Sequence, residues 1–187
     1  MTTRDLAFAA LFTGIIIVLG LVPPVPLGFI PVPITLQSMG VMLAGCIIGA
    51  KRGALAYLIF VLLVAVGMPV LSGGRGGLAV LFGPTGGYVL GWIAAALVTG
   101  FCAERLVREE QGEWRQLAGF FAASVAGGIV VLYLIGMPWV SIVAGTPFSA
   151  VAMGSLAFIP GDLLKAAIAA LAARAVLAGY PLLRQRA

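Results

Sequence analysis

Gly86-Gly87-Tyr88-Val89-Leu90-Gly91-Trp92-Ile93-Ala94-Ala95-Ala96-Leu97-Val98-Thr99-Gly100-Phe101-Cys102-Ala103 runs for eighteen residues without a charge, until Glu104 and Arg105 end it. A bilayer core about 30 Å thick is crossed by roughly 20 residues of helix. This run therefore reads as a membrane span with a glycine-rich entrance and a charged exit. Stretches of the same kind lie near residues 6–22, 34–50, 53–71, 117–136 and 159–178. The chain has 187 residues, 62% of them hydrophobic and 9% charged, where a soluble domain carries about 25% charge. A soluble core of this size cannot hide so much apolar side chain, which excludes a water-soluble enzyme. The reading is one domain, 1–187, that is an all-α integral membrane protein with six transmembrane helices. The first run follows Arg4 as a signal peptide would. However, Gly20-Leu21-Val22-Pro23-Pro24 has no small-residue cleavage pattern and five spans follow, so it counts as a true span.

Histidine is absent, which removes imidazole as metal ligand, general base and pH switch. Cys46 and Cys102 form no CxxC pair and read as small buried apolar residues. No catalytic group, metal site or cofactor is expected. No GxxxxGK[ST] loop occurs, so the chain cannot itself use ATP. The two halves show no convincing internal repeat, which disfavours an inverted-repeat carrier.

Six spans put both termini on one side, and the Lys/Arg bias chooses it. With the N-terminus inside, the inner segments hold Arg4, Lys51, Arg52, Arg105, Arg108, Arg115, Arg174, Arg184 and Arg186, nine of the eleven cations. The outer loops hold Arg75 alone, and Lys165 lies within a span. Both termini are predicted cytoplasmic, and the net charge of +5 reports orientation rather than nucleic-acid binding. Aromatic placement agrees, with Trp114, Tyr57 and Tyr180 near the inner interface and Tyr88, Tyr133 and Trp139 near the outer one.

The chemistry collects at the outer face. The first outer loop, Val22 to Pro33, is stiffened by prolines and enters the second span at Ile34-Thr35-Leu36-Gln37, where the Gln37 amide is a candidate ligand contact. The second, Ser72 to Tyr88, is rich in glycine, and Pro84-Thr85-Gly86-Gly87 feeds a helix start whose free N–H groups suit an anion or a carbonyl. It reads either as a flexible linker or as a wall over a pocket. The sixth span opens Ile159-Pro160-Gly161-Asp162-Leu163-Leu164-Lys165. Pro160 suits a first helical turn, and Asp162 sits at the positive end of the helix dipole. Lys165, three residues on, projects from the same face. A charge at mid-membrane costs about 2.5–3.5 kcal/mol on insertion scales, so such a pair marks a site unless it only neutralises itself. As a site it takes a small acid, the ligand carboxylate meeting Lys165 and ligand N–H donors meeting Asp162.

Pro31-Val32-Pro33-Ile34-Thr35-Leu36-Gln37, Phe82-Gly83-Pro84-Thr85-Gly86-Gly87-Tyr88 and Pro160-Gly161-Asp162-Leu163-Leu164-Lys165 together resemble the BioY family, over nearly the whole chain and in matching order. These are the biotin-specific substrate-capture subunits, or S components, of energy-coupling-factor transporters. The resemblance implies high-affinity capture of biotin and its translocation across a bacterial or archaeal plasma membrane. It implies as partners a transmembrane coupling subunit and two cytoplasmic ATPases. The implied substrate contacts are Asp162, Lys165, Tyr88, Gly86, Gly87 and Gln37. Arg75 is what this sequence offers for a further basic residue at the carboxylate end. Docking on the coupling subunit is implied through small residues of the first span, here Ala10 and Gly14. An S component for another small carboxylate vitamin, and a self-sufficient proton-coupled carrier with Asp162 titrating, remain alternatives.

The cation split makes a direct prediction. In a background with Cys46 and Cys102 replaced, a cysteine at Thr146 should react with an impermeant thiol reagent in intact cells, and one at Gln111 should not. Reversed labelling would turn the candidate site toward the cytoplasm.

Overall fold

The computed structural model describes residues 2–28 and 30–180. Helix α1 (Thr3–Gly20) starts from a reciprocal cap in which the Asp5 N–H donates to Thr2 Oγ1 and the Thr2 N–H to the Asp5 carboxylate. The proline-rich segment cannot continue the helix; it runs out and back, with Val25 and Ile34 exchanging both backbone hydrogen bonds.

Helix α2 (Gln37–Ala65) carries the main surprise. At Gly49 the backbone takes φ 81° and ψ 179°, a region essentially reserved for glycine, and the chain reverses there without a loop. The limbs 37–48 and 50–65 lie side by side, since the Tyr57 hydroxyl donates to the Gln37 carbonyl at 2.9 Å and Gly53 packs on the backbone of Ala44 and Gly45. Among the described residues five helical paths have the length and composition to cross a membrane, and the reversal folds one of them, α2, into two limbs. The bundle so described has six limbs. Lys51 and Arg52, expected in a connector, begin the second limb instead. The expected 53–71 span stops at Ala65, because Gly67 turns the chain with φ 94° and Pro69 follows. Tyr57, expected near an interface, is fully buried.

After the short α3 (Leu78–Phe82), α4 (Gly86–Leu106) runs through the centre of the bundle against both limbs of α2. Glycine makes that approach possible. A Cβ on Gly45 would collide with Thr99, and one on Gly100 with the backbone of Ala50. Glu104, in the last turn of α4, accepts the Ala50 N–H at 2.8 Å, so the charged exit of α4 caps the second limb of α2.

Helix α5 (Glu113–Val125) passes through a π-helical turn (Ala126–Val131) into α6 (Leu132–Ala144), which ends at the left-handed Gly145. Helix α7 (Phe148–Ser155) continues through a 3₁₀ turn (Leu156–Phe158) into α8 (Ile159–Gly179). The expected spans at 117–136 and 159–178 lie inside these two 32-residue paths. Helix α1 packs mainly on α2 and leaves Ala7, Ala10, Leu11, Gly14 and Val18 exposed on its far side. Leu62, Ile142 and Leu171 are 56, 81 and 59% exposed on other helices. Large apolar side chains bared around a bundle are accounted for by lipid as the solvent.

The reversal at Gly49 generates the second prediction. Gly49→Ala should destabilise the protein by about 1–3 kcal/mol. Glu104→Ala should cost about 1 kcal/mol, with Glu104→Gln costing less because it keeps an acceptor. Thermal melts in detergent measure all three. An unshifted Gly49→Ala melt would contradict the loopless reversal.

Candidate functional site

At the end of the bundle away from Gly49, residues of α4, α6 and α8 surround a cavity that opens to solvent. One wall is the extended segment Val32 to Thr35 with Ser38 on the first turn of α2. Tyr88, Val89 and Trp92 on α4, Leu132 and Tyr133 on α6, and Phe158 before α8 make the apolar and aromatic lining. Arg75, Asp162 and Lys165 are the charged groups in it.

Pro160 sits in the first turn of α8, as its fixed φ favours, and places Asp162 and Lys165 one turn apart on the inward face. Both are buried, at 5% and 7% exposure, so neither charge can be left unsatisfied. Lys165 Nζ donates to Asp162 Oδ1 at 2.7 Å, to the Thr35 carbonyl at 3.0 Å and to Ser38 Oγ at 3.0 Å. An ammonium has three protons, and all three are engaged. The Tyr133 hydroxyl donates to Asp162 Oδ2 at 2.8 Å. Each carboxylate oxygen therefore takes one protein donor and keeps a lone pair for another. The arrangement can accept hydrogen bonds from a ligand at Asp162. Lys165 can donate to one only by giving up Thr35 or Ser38.

Arg75 lies on a turn whose backbone pairs Leu71 with Arg75 through two bonds, shaped by positive φ at Gly73 and Gly74. Its Nε donates to the Ser72 carbonyl at 3.2 Å, and its terminal nitrogens have no protein partner among the described residues. With Asp162 and Lys165 cancelling, Arg75 leaves the lining with one net positive charge.

The structure thus gathers Asp162, Lys165, Tyr88 and Arg75 into one cavity. It does not bring Gln37 there. That residue is fully buried, and its amide is spent on backbone groups of Ile16, Val70 and Ser72. Gly86 and Gly87 also lie off the lining. A Cβ on Gly86 would strike the Leu81 carbonyl and one on Gly87 the Trp139 side chain, so these glycines serve close packing at the head of α4. Trp139 fastens the same segment by donating from Nε1 to the Gly83 carbonyl at 2.9 Å. Thr35, Ser38, Trp92, Tyr133 and Phe158 were not among the expected site residues. Of these only Tyr133, a hydroxyl inside an apolar run, carries a visible signal. Among the described residues no group of three His, Cys, Asp or Glu side chains is placed to hold a metal.

Comparison with known proteins places this geometry. The biotin transporter BioY of Rhizobium etli is 58% identical over 187 residues, covering 100% of both chains. That of Rhodobacter capsulatus is 46% identical over 182 residues, covering 92% of this chain and 93% of its own. The crystal structure of the S-component for biotin from an ECF-type ABC transporter superposes with a TM-score of 0.86 at 36% identity, covering 94% of each chain. The family profile described as BioY family matches residues 1–182, and with the same helical bundle and near-complete coverage, this chain belongs to the BioY family.

Proposed function

We propose that this protein captures biotin in the α4–α6–α8 cavity and serves as the S component of an energy-coupling-factor transporter in a prokaryotic plasma membrane. The observation that carries the reading is the charged lining of an otherwise apolar and aromatic cavity in a BioY chain. Biotin offers a cyclic urea with two N–H donors, a sulfur-containing ring, an alkyl chain and a carboxylate. The free lone pairs of Asp162 suit the urea N–H groups, held at the right angle by Lys165 and Tyr133. Trp92, Leu132, Tyr88 and Phe158 suit the ring and chain, since thioether sulfur packs well on aromatic edges. The carboxylate is assigned to Arg75 rather than to Lys165, whose protons are already engaged. Charge balance supports this. A monoanion neutralises a lining of net charge +1, whereas without Arg75 it would bury an unpaired charge.

The orientation with both termini cytoplasmic turns the cavity outward and makes this a capture site. Energy for inward movement then comes from partners, a coupling subunit with two ATPases, since the chain has no phosphate-binding loop of its own. The exposed face of α1 suits the coupling subunit. Gly14 has open space above its Cα, and Ala10 lies one turn before it, so a partner helix can approach backbone to backbone.

The experiment that tests the proposal separates capture from coupling. Detergent-solubilised protein should bind biotin by titration without any partner. Ala10→Leu and Gly14→Leu should leave that binding within about twofold while abolishing ATP-dependent uptake in cells that supply the coupling module. No binding by the isolated protein would overturn the capture assignment. Binding lost together with uptake would mean that this face serves internal packing.

A further inference from the structure

Gln37 does not touch the cavity, yet its side chain joins three separate pieces of the fold. Its Nε2 donates to the Val70 carbonyl at 2.9 Å and to the Ile16 carbonyl on α1 at 3.2 Å. Its Oε1 accepts the Ser72 N–H at 2.9 Å. An amide side chain has two donor protons, and both are used. Gly20 makes room for it, because a Cβ there would press on the Gln37 amide. The next bond along the chain reaches the site. The carbonyl of the same Ser72 accepts Arg75 Nε at 3.2 Å, and Arg75 exchanges two backbone bonds with Leu71.

We infer that Gln37 is a positioning residue for Arg75: by pinning residues 70–72 against α1 and the head of α2, it sets the one uncancelled cation of the cavity where a ligand anion meets it. A polar amide buried to 0% exposure fits this role. A purely structural filler at this position would be apolar, whereas an amide is matched to the Val70 carbonyl and the Ser72 N–H, which take no other partner among the described residues. The turn keeps its shape through the backbone bonds of Leu71 with Gly74 and Arg75, with Gly73 and Gly74 at φ of 79° and 68°, so its placement follows that of the held segment before it. The chain of contacts also starts on α1, so the position of Arg75 is tied to the helix proposed to dock on the partner.

This inference rests on Arg75 reading the carboxylate, and the test separates the two. Biotin and an uncharged biotin amide are titrated against wild type, Arg75→Gln, Gln37→Met and the double variant. Arg75→Gln should weaken biotin about tenfold or more and the amide little, as loss of a charge-assisted hydrogen bond does. Gln37→Met should reproduce the selective loss, and the double variant should lose no more than Arg75→Gln alone, because both act through one contact. If Gln37→Met does not fold, Gln37→Asn, one methylene too short to reach Ser72, should show the same pattern. Equal weakening of both ligands by the Gln37 variants, or losses that add in full to Arg75→Gln, would overturn the inference while Arg75 stands. An Arg75→Gln variant that treats the two ligands alike would overturn the Arg75 assignment and this inference with it.

Discussion

A carboxylate and an ammonium 2.7 Å apart, both buried in a membrane protein, are the constraint around which the rest is arranged. Desolvating two charges is costly, and their mutual attraction repays it only when the remaining lone pairs and protons also find partners. Here they find them on three other elements. Thr35 comes from the extended segment, Ser38 from the first turn of α2, and Tyr133 from α6. Asp162 and Lys165 on α8 thereby tie together the walls of the cavity. Removing either partner would strand the other charge in an apolar setting, so the pair acts as a rigid unit. What remains available on that unit is acceptor capacity at Asp162.

Glycine sets how closely the helices carrying those groups approach. The reversal at Gly49 packs two passes of α2 without a loop, and Gly45 and Gly100 let α4 lie directly on them. The tight centre leaves α1 at the periphery, attached by one side and bare on the other. A helix so placed keeps its outer side open to a partner. Among the described residues, its polar link to the site region runs through Ile16 and Gln37. The proposed capture and docking surfaces are therefore distinct, and identifiable hydrogen bonds join them.

Much of this was legible in the sequence, and the rest was hidden for physical reasons. Apolar runs of bilayer length reveal helices whatever their packing, so an all-helical membrane bundle was readable, while the expected spans at 34–50 and 53–71 are two limbs of one helix. Gly49 was not readable, because hydropathy is blind to a backbone reversal and Gly49 is one of 26 glycines. Asp162 and Lys165 stand out because charge inside a span is expensive. Thr35 and Ser38 are anonymous, since one contributes a backbone carbonyl and the other a common hydroxyl. The polarity of Gln37 was visible but not its direction, and only the fold turns it toward α1 and residues 70–72. Gly86-Gly87 was legible as a place of close approach, and the groups that approach are the Leu81 carbonyl at Gly86 and the Trp139 side chain at Gly87.

The account stands on Lys165 holding the site together while Arg75 meets the anion. A structure of the protein with biotin bound tests that most directly, through the partners of Lys165 Nζ. The account predicts that Thr35, Ser38 and Asp162 keep all three ammonium protons, with the ligand N–H groups on Asp162 and the carboxylate on the Arg75 guanidinium. A ligand carboxylate oxygen within hydrogen-bond distance of Lys165 Nζ, in place of Thr35 or Ser38, would contradict it.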